Sequence, residues 1–109
     1  MAKSLQHQIV ARALELIADE PSWTSLIVVR TAEGSPRGCV DPDAARFCDI
    51  GALYRAAGEL LGNVGPEHPF KAETFVLVAN DRLREGLARI NDAEGHAVIV
   101  AMFKNALAS

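Results

Sequence analysis

From Gly95 to Ser109 the chain carries one charged side chain, Lys104. Val98, Ile99, Val100, Ala101, Met102, Phe103, Ala106 and Leu107 fill that stretch on nearly every side of a helical wheel. A helix at a protein surface keeps a polar stripe for water. One that is apolar all round must be threaded through a core or shared with a second chain. The chain has 109 residues, and a domain of this size buries roughly two-thirds of the surface its unfolded form exposes. The stretch therefore predicts a compact helical bundle. For any apolar surface left over, it predicts a homodimer through the C-terminal helix.

The remaining segments read as further helices separated by turn formers. Ile9, Ala13, Leu16 and Ile17 recur at helical spacing, which predicts a first helix over Ser4 to Glu20. Ser4 is placed to cap it, and Pro21 to end it, because the residue before proline is driven out of the helical region. Leu26-Ile27-Val28-Val29 has no helical period. The turn formers Gly34, Pro36 and Gly38 follow it, then Cys39-Val40 as a short return strand. This is a hairpin, or an extended loop, between helices 1 and 2. Asp41-Pro42-Asp43 carries a cap, a proline suited to the first helical position and a carboxylate at the positive dipole end. It predicts a second helix to about Leu61, rich in small residues (Gly51, Ala52, Ala56, Ala57), buried and central. A third helix is expected over Phe70 to Leu87, with a stripe of Ala72, Phe75, Val76, Ala79 and Leu83. Ile90 to Gly95 then interrupts the pattern before a last helix over His96 to Leu107. The fold class is mainly α: about four helices in one compact bundle, with residues 1–109 as a single domain. An α+β arrangement is the alternative if Leu26–Val29 pairs fully with Cys39-Val40.

Composition excludes several classes. Half the residues are hydrophobic, 23% are charged and the net charge is −3. Disorder needs low hydrophobicity and high net charge, and a nucleic-acid binder usually shows a basic excess, so nucleic acid is not an expected partner. The longest uncharged runs, Pro21–Val29 and Gly95–Phe103, are about half the ~18 residues a membrane span needs, so no membrane partner is expected either. The N-terminal residues have no apolar run before Arg12 and Glu15, unlike a secretory signal. Two cysteines are too few for a disulfide scaffold. A cytoplasmic protein with reduced thiols is the economical expectation.

Trp23, the helix Ala45-Arg46-Phe47-Cys48-Asp49-Ile50-Gly51-Ala52-Leu53, and Asn91-Asp92 leading through Gly95 into a final helix resemble a family of small uncharacterised bacterial and phage proteins, a domain of unknown function. Its pattern is a tryptophan, an A-x-[aromatic]-C-x-x-G-A-[L or I] helix and an N-D dipeptide before a C-terminal helix. The likeness spans nearly the whole chain. It departs at Ile90, where the family often has a bulky aromatic, and at His96, near which a Thr or Ser often caps the last helix. The resemblance implies a compact, mainly helical domain and supplies no activity.

Residue chemistry offers few sites. Cys39, Cys48, His68 and His96 could supply four zinc ligands, but no C-x-x-C or H-x(3–5)-H spacing organises them, so no metal is expected. Cys48 as a nucleophile needs a helix N-terminus or a cation beside it. The expected second helix puts it well inside, where it reads as a small buried residue. Asp41 and Asp43 are accounted for by capping, and no carboxylate pair stands at hydrolase spacing. Asn91 with Glu94 fits a capping box for the last helix. No phosphate-loop or dinucleotide fingerprint is present, and no cofactor is expected. The leading expectation is a non-enzymatic protein-interaction module that self-associates. The alternative is a small-molecule-binding protein or enzyme, with Trp23, Arg46, Asn91, Asp92 and His96 converging on one pocket. A third reading is an accessory factor for a protein partner in a host cell.

Overall fold

A computed structural model describes residues 4–25, 29–36, 38–39, 41–62 and 65–109. The elements run in order α1 (Leu5–Ile17), a 3₁₀ turn (Glu20–Ser22), β1 (Val29–Arg30), β2 (Arg46–Phe47), α2 (Asp49–Leu61), α3 (Glu67–Ala79), α4 (Leu87–Glu94) and α5 (His96–Ala108). The architecture is mainly α, with five helices and one two-stranded sheet among the described residues. The chain contains no described helix long and apolar enough to cross a membrane.

α1 forms where its period predicts. Ser4 caps it, its hydroxyl accepting the His7 amide at 3.1 Å. Ile9, Val10, Ala13 and Ile17 are fully buried, and α1 packs against α2, α3 and α5. The helix stops at Ile17, short of the expected Glu20, and Pro21 lies inside the 3₁₀ turn that follows.

The second helix differs more. The Asp41-Pro42-Asp43 start signal builds a turn instead of a helix. The Asp41 carboxylate accepts the Asp43 amide at 2.8 Å, and the Asp41 carbonyl accepts the Ala44 amide at 3.0 Å. Such a local side-chain bond competes with helix formation. The chain then runs extended through Arg46-Phe47 and pairs antiparallel with Val29-Arg30, in the register Val29↔Phe47 and Arg30↔Arg46. Of the expected return strand Cys39-Val40, Cys39 sits in a turn, while Val40 and its expected partners Leu26–Val28 lie outside the described residues. α2 therefore begins at Asp49, capped by Cys48. Ala52, Leu53, Ala56 and Ala57 are fully buried, as a central small-residue helix requires.

The expected third helix divides. α3 ends at Ala79 because Asn80 turns its amide onto the carbonyls of Val76 (2.8 Å) and Met102 (3.0 Å), and Asp81 takes a left-handed φ of 56°. Leu83 falls outside the core and is 55% exposed. The segment read as an interruption is instead helical, as α4. Gly95, at φ 90°, closes α4 and opens α5. That φ costs an L side chain more than it costs glycine.

α5 spans the expected residues. Ile99, Met102, Phe103 and Ala106 face inward, and its remaining large apolar side chains are partly covered by α1, α3 and α4. Among the described residues the large apolar side chains left exposed are Leu60, Leu61, Phe70, Val78 and Leu83, none of them on α5. The homodimer expectation drew on surplus apolar surface at the C-terminal helix, and that surplus is on α3 and at the end of α2.

Candidate functional site

The polar centre of the molecule is Asn91, in the middle of α4 and fully buried. Its Oδ1 accepts the Trp23 indole Nε1–H at 2.8 Å and the Asp49 backbone N–H at 3.1 Å. Its Nδ2 donates to the Thr24 carbonyl at 3.1 Å and to the Asp92 carboxylate at 3.2 Å. An amide side chain offers two lone pairs and two N–H groups, and all four are used. The capping-box expectation is thus overturned. Asn91 lies inside a helix, Gly95 stands at the α5 N-cap, and Glu94 pairs with Arg82.

Each partner is delivered by a different element. The 3₁₀ turn hands the chain to Trp23, which bridges to Phe47 of β2, and Thr24 donates its amide to the Phe47 carbonyl at 3.0 Å. β2 runs directly into Cys48 and Asp49. The Trp23 ring lies against His96, with centroids 5.6 Å apart and planes at 54°. His96 Nε2 lies 2.6 Å from the Ile17 carbonyl, so Nε2 carries the proton, since a carbonyl can only accept. Four of the five anticipated residues, Trp23, Asn91, Asp92 and His96, therefore converge. Arg46 does not. Adjacent strand residues point to opposite faces, and with Phe47 turned inward Arg46 reaches the Ala32 carbonyl at 2.5 Å. The four converge by bonding to one another and to backbone, which makes a clasp across the bundle rather than an open pocket.

Asp49 is not singled out by the sequence, where it stands only as one position of the Ala45–Leu53 motif. It is fully buried. Its Oδ1 accepts the Ile50 amide at 2.7 Å, and its Oδ2 has no hydrogen-bond partner. Burial pushes its carboxyl up to about 8, against the pull of the Ile50 amide, and Glu73 on α3 and Asp92 on α4 add repulsion. Thr24 was also missed: its carbonyl holds Asn91 and its hydroxyl accepts Arg30 Nε at 2.9 Å. No periodicity marks either residue, because both owe their position to contacts distant in sequence.

Cys48 is at a helix N-terminus after all, its Sγ accepting the Gly51 amide at 3.3 Å. Burial nevertheless pushes the thiol up to about 12, far from the depressed value a thiolate nucleophile needs. Cys39 is a free thiol too, raised in the same direction by burial. Among the described residues no group of three or more His, Cys, Asp and Glu side chains is arranged to hold a metal ion.

A second feature lies along α3 and the start of α1. A shallow groove of about 440 Å³ is lined by Ser4, Gln6, Phe70, Lys71, Thr74, Phe75 and Val78. Phe70 is 67% exposed and Val78 59% exposed. Comparison with family models, curated proteins and solved structures gives no significant match.

Proposed function

We propose that this chain is a non-enzymatic protein-interaction module that self-associates, with α3 as its contact face. The observation that supports it is the exposure of Phe70 and Val78 beside an apolar groove, in a protein whose other helices turn their aromatic and branched side chains largely inward. Phe70, Thr74 and Val78 stand at i, i+4 and i+8, one ridge of the helix. Laid antiparallel on a second copy, the ridge brings Phe70 against the partner's Val78 and Thr74 onto the two-fold axis. That is the self-complementary pattern an isologous dimer requires. Aromatic anchors of this kind carry a large share of binding energy in interfaces. The polar residues that would serve catalysis are committed to the Asn91 clasp, which favours binding over chemistry.

The resemblance to the small bacterial and phage family is part of this proposal and rests on the motif residues around Trp23, Phe47-Cys48 and Asn91-Asp92. Sedimentation velocity across the micromolar range tests the reading. A concentration-dependent dimer is expected for the native chain, and a monomer for the Phe70→Ser, Val78→Ser double variant. A native chain that stays monomeric throughout removes the proposal.

The small-molecule reading draws on the convergence of Trp23, Asn91, Asp92 and His96. A ligand there would have to displace bonds already made, so its signature is a change in Trp23 emission when metabolite mixtures are added.

A further inference from the structure

Asp49 opens α2 as a buried carboxyl with one oxygen unbonded, and the two charged groups that face it are both acidic. Glu73 faces it from α3 and Asp92 from α4, while the Ile50 amide and the neighbouring Cys48 thiol favour its anion without offsetting the burial. Among the described residues no cation of the packed elements is bonded to the Asp49 carboxyl. Arg12 of α1 holds Glu59 at 2.9 Å. Arg55 of α2 donates to the carbonyls of Cys39 (3.2 Å) and Asp41 (3.0 Å). Arg46 of β2 holds the Ala32 carbonyl, and His96 of α5 is bonded to the Ile17 carbonyl. Asp49 is also tied to the clasp, because its backbone N–H and the Trp23 indole share the same acceptor, Asn91 Oδ1.

We propose that Asp49 is a proton latch: while it is protonated the first turn of α2 stays seated under Asn91, and loss of the proton lifts that turn and frees Trp23. An anion at this position meets two further carboxylates and a dry, unpaired oxygen. Water is the available remedy, and it reaches Oδ2 when the α2 start moves away from α4. That movement breaks the Asp49–Asn91 bond and loosens the Trp23 bond sharing its acceptor. Helices α3 and α5 and their contacts with α1 do not depend on that bond, so the change is local. Trp23, Asn91 and His96 would then be uncovered together at alkaline pH. Burial of Asp49, which sets its carboxyl near pH 8, places the transition in an accessible range.

Trp23 is the only tryptophan, so its fluorescence reports on the latch without labelling. The full chain is titrated from below neutrality to well above the Asp49 midpoint, following emission wavelength, acrylamide quenching and far-UV circular dichroism. A red shift with increased quenching is expected, with a midpoint near 8 and helix content retained. Asp49→Asn should lose the transition. Glu73→Gln, which removes a like charge from a partly exposed site, should move the midpoint to lower pH. Four outcomes overturn the proposal: a flat native titration, an unchanged transition in Asp49→Asn, a Glu73→Gln midpoint that does not fall, or loss of helix with the same midpoint. A transition that instead disappears in His96→Gln assigns the effect to the histidine and overturns it as well.

Discussion

Replacing Asn91 with alanine should be the most damaging polar substitution in the chain, and its size can be worked from the bonds it breaks. The Asp49 N–H and the Thr24 carbonyl are left unpaired in buried surroundings, and the Trp23 Nε1–H in a partly buried one. An orphaned buried donor or acceptor costs about 1–3 kcal/mol. The indole sits at the low end because water can reach it, so the three sum to roughly 3–7 kcal/mol. Domains of this length are stable by only about 5–15 kcal/mol, so the variant should lose around half its margin. Urea unfolding followed by circular dichroism measures the loss. Asn105→Ala is the matched control, since Asn105 is exposed and its bonds to Ala79 and Asn80 lie in reach of solvent. It should cost under about 0.5 kcal/mol. A cycle with Trp23→Phe isolates the indole bond, because the double variant has no indole donor left to orphan, and a coupling of about 0.5–3 kcal/mol is expected. A loss below about 1 kcal/mol for Asn91→Ala, or no coupling to Trp23, would refute the clasp as a structural element.

Three further outcomes follow from the same geometry. The Asp49 carboxyl is raised in the folded state, so its contribution to stability is fully present below its unfolded value near 3.8 and is lost as pH rises through about 8. Across that window native stability should fall by about 1.4 kcal/mol per pH unit from this group. Asp49→Asn should flatten the urea-midpoint profile, leaving a smaller slope of the same sign from Glu73, which burial also raises; parallel native and variant profiles would contradict the assignment. In the folded protein, Cys39, which is partly exposed, should react with a thiol reagent before buried Cys48 does. Cys48 should become reactive only on unfolding, and mass spectrometry of the first labelled species decides the order. Ser4→Ala removes the α1 cap and should cost about 1 kcal/mol in thermal or urea unfolding, and no loss would mean that the His7 amide finds another acceptor.

The apolar period of α1, the Ser4 cap and the helical span of α5 after Gly95 are legible in the chain because each is a local property. A helix face repeats every three to four residues, and a left-handed turn asks for glycine whatever surrounds it. The start of α2 was not legible. Asp41-Pro42-Asp43 and Cys48-Asp49 both offer an N-terminus, and what decides between them is the pairing of Arg46-Phe47 with Val29-Arg30, a contact between segments far apart in sequence. Asn91 was misread for the same reason. Beside Glu94 it resembles a cap, and only the arrival of Trp23, Thr24 and Asp49 from other elements turns it into the buried centre of a hydrogen-bond network. The sequence points to α5 for the exposed apolar surface, and the structure has it on α3, at the end of α2 and at Leu83. Composition counts side chains, but which of them meet water is set by how the helices pack. That packing turned α5 largely inward and left Phe70 and Val78 of α3 outside.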